Sequence, residues 1–214
     1  MSGIRSELKE YVEAEIIPRY RTFDKAHRED HVRMVIRQAL ELAEQMGADA
    51  EIAYTAAAYH DTGLEEGRER HHLVSGIIIR ADKQLREWFT EEEIETIAQA
   101  AEDHRASSDH EPRSLYGRII AEADRFIDAD TIILRTAQFS LANYPTLSHE
   151  EHIERCVSHL REKYGDGGYL KLWIPGSPNE QRLEALRAII RDEVKVHAIA
   201  EQVLNDLASQ LGQE

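Results

Sequence analysis

Residues 49–60, DAEIAYTAAAYH, form the most uniformly apolar stretch of the chain, and Asp61 follows directly. After its first turn, a helix over this stretch would be apolar around most of its circumference. Helices of this kind are buried, so the stretch predicts a central helix with its neighbours packed around it. This helix ends in an adjacent imidazole and carboxylate, His60 and Asp61. Such groups are costly at the edge of a core unless they are paired or bound to a metal.

The sequence on both sides of this helix also has a helical period. From Val32 to Met46, apolar residues recur at steps of three and four, and Gly47 follows as a C-terminal stop. Another helix is predicted to begin after Ser148, with Ile153 on its apolar face. Similar patterns predict helices over 71–88, from 91 to about 104, from about 114 to 128, over 130–142 and from 178 to about 210.

Capping signals mark where three of these helices begin. The signals are Thr90 with Glu93, Ser148 with Glu151, and Ser177 with Pro178 and Glu180. In the first two pairs the hydroxyl and the acid three residues later satisfy each other's backbone N–H, as in a capping box. The third signal places Pro178 at the first helical position, where its missing N–H costs nothing.

Strand signals are nearly absent, so the predicted fold class is all-α. We expect a single domain over 1–214, with a helical core at about 20–140 and a C-terminal helical extension at about 141–214. The most irregular stretch is the loop 164–178, YGDGGYLKLWIPGSP. Its aromatic and aliphatic residues indicate that it packs against other parts of the chain.

The charge composition limits the classes of partner that the protein is expected to bind. The 214 residues include 26 Lys and Arg against 41 Asp and Glu, a formal net charge of −15. This balance argues against binding to a nucleic acid duplex or a membrane surface, because both are polyanions. A small anionic substrate held by a few placed cations remains compatible with it.

Other features of the composition favour a cytoplasmic protein. The single cysteine, Cys156, excludes an intramolecular disulfide and a thiolate metal cage. No stretch approaches the roughly 20 apolar residues of a membrane-spanning helix. The first fifteen residues lack the apolar segment of a signal peptide. Apolar positions along the last helix, such as Leu183 and Leu186, would cover either the domain or a partner, which leaves room for a homodimer.

Histidine is unusually frequent, with eleven residues, and several lie at telling positions. His31 opens the first long core helix, His60 and Asp61 end the buried helix, and Asp124 interrupts the apolar stretch IIAEADRFID. Two imidazoles and two carboxylates from three helices would form a nitrogen and oxygen site. Without thiolates, such a site suits Mn, Fe, Ni, Co or Mg better than structural zinc.

These residues in this order resemble the HD-domain superfamily of metal-dependent phosphohydrolases. The resemblance covers roughly residues 20–140 and rests on His31, the YHDTG segment around His60 and Asp61, and the AEADRFIDA segment around Asp124. It implies an all-helical bundle in which these four residues bind one divalent metal. In the family the HD aspartate often bridges to a second ion, so Asp61 is also a catalytic candidate.

The resemblance extends to a second set of residues. Two histidines complete the second site in family members with two metals, and His104 with either His71 or His72 fits that pattern. His71 is favoured by its spacing from Ser75 and Gly76. Alternatively these residues touch the substrate phosphate, with His104 in a catalytic role. The other phosphate-binding candidates are His27 and Arg125.

The function implied is hydrolysis of a phosphoester or phosphoanhydride in a small phosphorylated substrate, with one or two divalent ions. Because only neutral imidazole binds a metal, activity is expected to fall below about pH 6. Two alternatives remain open. One is an HD-type diiron oxygenase, which uses a similar set of six ligands. The other is an HD fold kept as a non-enzymatic ligand-binding module.

Overall fold

The computed structural model describes residues 3–23, 28–108 and 110–211, and these form helices, turns and loops without a strand. The all-α prediction is confirmed. None of the described helices is both long and apolar enough to cross a membrane. The α-helices are α1 Ser6–Tyr11, α2 Glu29–Met46, α3 Ala50–Tyr59, α4 His71–Ala81, α5 Glu91–Glu102, α6 Leu115–Ala123, α7 Ala129–Asn143, α8 His149–Tyr164, α9 Pro178–Arg191 and α10 Glu193–Leu211.

The chain divides into two compact units. The first comprises the described residues up to Arg125 together with Leu172–Pro175. The second comprises Phe126–Lys171 and the described residues from Gly176 onward, and it contains α7 to α10. The expectation of a single domain over 1–214 stays a prediction.

Helix α3 is the centre of the first unit, as its composition predicts. Every residue from Ile52 to Tyr59 is buried, and α2, α5 and α6 pack against it. Alanine at half of these positions lets the neighbouring helices approach closely. Gly47 ends α2 in the left-handed conformation, with φ 64°, which glycine adopts without steric cost. The short turn that follows places α3 directly after α2.

Asp49 caps α3. Its carboxylate accepts hydrogen bonds from the backbone N–H groups of Glu51 (2.8 Å) and Ile52 (3.2 Å). Asp49→Ala is expected to lower the free energy of unfolding by about 1 kcal/mol, because those two donors lose their partner. Urea unfolding followed by circular dichroism measures this. Asp49→Asn is the control, because asparagine caps as well as aspartate; equal losses in both variants would contradict the capping role.

Both predicted capping boxes are present, at Thr90 with Glu93 and at Ser148 with Glu151. The prediction of one helix over 71–88 is wrong, because α4 ends at Ala81 and a short 3₁₀ turn follows over Gln84–Glu87. The physical reason lies at Asp82, which has an extended backbone with ψ 107°. Its carboxylate accepts hydrogen bonds from two tyrosine hydroxyls and from a backbone N–H beyond the helix; the donors are Tyr11, Tyr59 and Gln84.

Two further helix boundaries differ from prediction. The helix predicted over 178–210 is two helices, because Asp192 is extended (ψ 95°) and accepts a hydrogen bond from the N–H of Lys195 (3.0 Å). The helix predicted over 114–128 ends at Ala123. Five residues later, Asp128 caps the next helix, because its carboxylate accepts a hydrogen bond from the N–H of Thr131 (2.8 Å).

Two segments complete the core of the first unit from outside the predicted helices. The N-terminal residues continue from α1 through a π-helical turn, Val12–Ile16, and a 3₁₀ turn, Ile17–Thr22, and several of their side chains are buried. Ile174, from the loop 164–178, is buried in the same core. Next to it, the N–H of Trp173 donates to the buried carboxylate of Glu122 (2.7 Å).

Candidate metal centre

Six side chains converge in the first unit, and each is placed by the start or end of a helix. They are His31 in the first turn of α2, His60 and Asp61 at the end of α3, His71 at the start of α4, His104 just after α5, and Asp124 just after α6. These residues are called the cluster below. The backbone thus brings together residues that lie far apart in the sequence.

The first group within the cluster consists of His31, His60 and Asp124, whose ligand atoms lie within 4.8 Å of one another. Nε2 of His31 is 3.2 Å from Oδ1 of Asp124, and Nε2 of His60 is 3.7 Å from the same oxygen. Asp61 adds its Oδ2, which is 3.2 Å from Nε2 of His60 and 3.7 Å from Nε2 of His31. Two imidazoles and two carboxylates therefore surround one point.

The second group consists of Asp61, His71 and His104. Here the other oxygen of Asp61 is used: Oδ1 is 3.2 Å from Nε2 of His71 and 3.4 Å from Nε2 of His104. The two oxygens of Asp61 are thus divided between the two groups. A single carboxylate in this position is able to bridge two cations.

The hydrogen bonds of the rings fix which nitrogen carries the proton. In three of the rings, Nδ1 is within hydrogen-bond distance of the backbone carbonyl oxygen three residues earlier. The distances are 2.7 Å in His60, 2.8 Å in His71 and 2.5 Å in His104. A carbonyl oxygen only accepts, so Nδ1 donates, and in the neutral ring Nε2 keeps a bare lone pair. This carbonyl contact is the usual way in which proteins orient a metal-binding histidine.

Because Nδ1 carries the proton in these rings, hydrogen-bond acceptor atoms face one another in the cluster. Nε2 of His71 lies 3.1 Å from Nε2 of His104, and both face a carboxylate oxygen of Asp61. Nε2 of His60 is buried and makes no hydrogen bond to the described residues. Lone pairs this close repel one another unless a proton or a cation lies between them. The donor set and its orientation therefore fit divalent metal ions.

The members of the cluster differ in how far they are exposed. The side chains of Asp124, His31 and His71 are 24, 16 and 13% exposed, whereas the other three are at most 3% exposed. The buried members form the floor, and the partly exposed members form the rim. The Nε2 atoms of His31 and His60 are themselves buried, so the exposed surface of His31 belongs to other atoms of its side chain.

Comparison with protein-family models matches residues 28–128 to the family described as HD domain. The matched segment contains all six residues of the cluster, with His60 and Asp61 as its HD pair. Residues 28–128 are an HD domain. The resemblance seen in the sequence is thereby confirmed. Comparisons with curated proteins and with solved structures found no match to the chain.

The electrostatics of the HD domain favour positive charge in the cluster. Burial acts to lower the pKa of His60, but the carboxylates of Asp61 and Asp124 outweigh burial and raise it well above its ordinary value. Burial acts to raise the pKa of Asp61, but His60, His104 and His71 outweigh burial and hold it well below its ordinary value. The pKa of Asp124 is lowered in the same way by His31 and His60. The pocket therefore keeps its carboxylates ionised, as metal ligands must be.

Two hydroxyl groups to which the sequence analysis gave no role in the site hold the HD pair in place. The hydroxyl of Tyr20 accepts from the N–H of Asp61 (3.3 Å) and donates to the carbonyl of Ala58 (2.9 Å). The hydroxyl of Ser75 accepts from the N–H of Gly63 (2.9 Å) and so ties the turn after Asp61 to α4. These contacts involve backbone atoms, so no side-chain pattern in the sequence could have revealed them.

The remaining predicted site residues have different surroundings. His72 lies beside the cluster, its ring 5.6 Å from that of His71, and does not belong to either group. Burial, with Arg105, His104 and His71, lowers the pKa of His72 to about 4. Arg125 is buried, and burial lowers its pKa despite Asp124 and Glu122. His27 lies outside the described residues.

Proposed function

We propose that this chain is a metal-dependent phosphohydrolase that cleaves a phosphoester or phosphoanhydride bond in a small phosphorylated molecule. The observation that supports it most directly is the facing pair of Nε2 atoms on His71 and His104, oriented by backbone carbonyls toward Asp61. That arrangement is unfavourable without a positive charge between the donors. Membership of the HD domain family supports hydrolysis as the use of that charge.

In this proposal the two groups hold two ions. His31, His60 and Asp124 would hold the first ion, together with Oδ2 of Asp61. His71 and His104 would hold the second, together with Oδ1 of Asp61. Nitrogen and oxygen donors of this kind accept Mn, Fe, Co, Ni or Mg, and the choice among these ions depends on availability as well as geometry.

Bound divalent ions would lower the pKa of a water and polarise a phosphoryl oxygen, which makes hydrolysis feasible near neutral pH. The protein's own part is to fix and align the reactants. We assign Asp61 to orienting the attacking water, because its carboxylate lies between the two groups. His104 is assigned to the floor of the pocket beside the phosphoryl group.

Phosphate binding would fall to residues around the rim. His72 stays neutral at pH 7, because its pKa is lowered to about 4, so it would contribute a hydrogen bond and no charge. Arg105 brings a cation near His72, and its guanidinium is anchored on the carbonyl of Glu69 (2.8 Å). Phosphate contacts from Arg125 and His27 stay predictions.

Removal of metal tests the proposal. Protein treated with EDTA and then dialysed is expected to hydrolyse p-nitrophenyl phosphate, bis-p-nitrophenyl phosphate and a nucleotide panel at least about a hundredfold more slowly than metal-loaded protein. Adding Mn²⁺, Co²⁺ or Ni²⁺ is expected to restore the rate. A chelated protein that keeps its full rate would contradict the proposal.

The same metal panel separates the two alternatives. An HD-type oxygenase would require iron and would consume oxygen with an organic substrate, which an oxygen electrode detects. A ligand-binding module without enzymatic activity would show no turnover with any ion. Absence of divalent binding in calorimetry would also favour that module over the hydrolase.

A further inference from the structure

A network of ion pairs lies next to the second group and joins two largely buried carboxylates to two more exposed arginines. It contains Arg80 on α4, Glu102 and Asp103 at the end of α5, and Arg113 just before α6. Helix α4 begins at His71, α5 ends two residues before His104, and α6 ends one residue before Asp124. We propose that this network positions His104 and His71 for the second cation, an inference that rests on the proposed function.

Glu102 joins α4 to α5. Its carboxylate accepts from Nη1 of Arg80 at 2.5 Å and from Nη2 of Arg113 at 2.6 Å. Its side chain passes directly over Gly76, where an added Cβ would lie only 2.7 Å from its Cγ. This close passage sets the separation of the two helices. Because α4 begins at His71 and α5 ends just before His104, the same separation sets the distance between those two rings.

Asp103 joins the end of α5 to the start of α6. Its Oδ2 accepts from the backbone N–H of Arg113 (2.7 Å), and its Oδ1 accepts from Nε of the same side chain (3.0 Å). The carboxylate is buried and lies against the first turn of α6, since a Cβ on Gly117 would be 3.1 Å from Oδ2. The next residue is His104. Asp103 therefore fixes the backbone from which His104 reaches the cluster.

The geometry makes the network specific for one group. Arg80, Glu102 and Asp103 lie next to the elements that supply His71 and His104. The histidines of the first group come from α2 and α3, neither of which the ion pairs of this network join. Asp124 of the first group follows the end of α6, the opposite end of that helix from Arg113. Loosening the network is thus expected to weaken binding of the second cation and to leave binding of the first unchanged. Supporting residues of metal sites typically change metal affinity by about 10–100-fold when mutated.

The test is metal titration of the full chain by calorimetry with Mn²⁺, without any substrate. In the unmodified protein we expect two equivalents to bind. In Glu102→Gln the first equivalent is expected to keep its affinity, and the second is expected to weaken by about tenfold or more. Gly76→Ala is expected to act in the same way, because its Cβ displaces the carboxylate of Glu102 without removing it.

Glu95→Gln is the matched control. Glu95 also pairs with Arg80, at 2.7 Å, but it lies early in α5, far along the helix from residues 103 and 104. The Glu95→Gln protein is expected to bind both metal equivalents with the affinities of the unmodified protein. Circular dichroism on each protein at the titration temperature verifies that it is folded, and Asp103→Asn replaces Glu102→Gln if the latter does not fold.

The outcomes separate the two claims. Unchanged affinity for the second equivalent in Glu102→Gln and Gly76→Ala overturns the positioning role. Equal weakening of both equivalents, or equal weakening in the Glu95→Gln control, also overturns it, because general destabilisation then explains the result. An unmodified protein that binds no second equivalent overturns the two-ion form of the proposed function itself.

Discussion

Asp61→Asn is expected to lower metal-dependent hydrolysis by about a thousandfold, because metal-ion catalysis contributes several kcal/mol and each 1.4 kcal/mol corresponds to a factor of ten. Asparagine keeps the shape of the side chain but loses the charge and one of the two oxygens. Both oxygens are used in the cluster, one toward each group. A single substitution thus takes an oxygen ligand from one group and the negative charge from both.

The measurement pairs turnover with metal content. Rates on p-nitrophenyl phosphate are taken at saturating Mn²⁺, and bound metal is counted by elemental analysis after gel filtration. Asp166→Asn is the control, since it makes the same chemical change in an exposed carboxylate that pairs with Arg191. Full turnover in Asp61→Asn would show that Asp61 is not part of the catalytic site.

Gly63→Ala is expected to give the largest loss of stability among single methyl additions to the first unit. A Cβ at residue 63 would lie 2.7 Å from the backbone N of Ser75 and 2.8 Å from Cβ of Val74, and it would also meet the carbonyl of His71. These are backbone atoms or atoms next to the backbone, so the 3₁₀ turn and α4 must move apart. Overpacking of this kind costs about 3 kcal/mol.

The displaced element is the one that begins with His71, so function should change together with stability. We expect a lower midpoint of urea unfolding and weaker binding of the second metal equivalent. Gly167→Ala is the control, because no heavy atom lies within 4 Å of its added Cβ and its φ is not positive. If Gly63→Ala unfolds at the same urea concentration as Gly167→Ala, the close packing at Gly63 is not rigid.

The sequence identifies most of the cluster because buried ionisable groups are conspicuous. His60, Asp61 and Asp124 stand out against apolar helical neighbours, where charge is costly without a partner. The choice between His71 and His72 depends on where α4 begins, since consecutive residues on a helix point about 100° apart. The structure begins α4 at His71, whose Nδ1 donates to the carbonyl of Arg68, a contact that no sequence pattern encodes.

The helix breaks are hidden for a related reason. Apolar residues keep a helical spacing across Asp82 and Asp192, so periodicity alone continues each helix through them. Tertiary hydrogen bonds from Tyr11 and Tyr59 stabilise the break at Asp82, and the donors are distant in sequence. Likewise, the network around Glu102 consists of common charged residues that acquire meaning only once α4, α5 and α6 are packed.

The return of Leu172–Pro175 to the first unit has a consequence for folding during synthesis. A growing chain exposes α2 to α6 long before Ile174 leaves the ribosome, so the core lacks one apolar side chain until then. The carboxylate of Glu122 must also wait for the N–H of Trp173, its partner in the finished protein. The nascent HD domain therefore passes through a stage in which its matched segment is complete but its core is not closed.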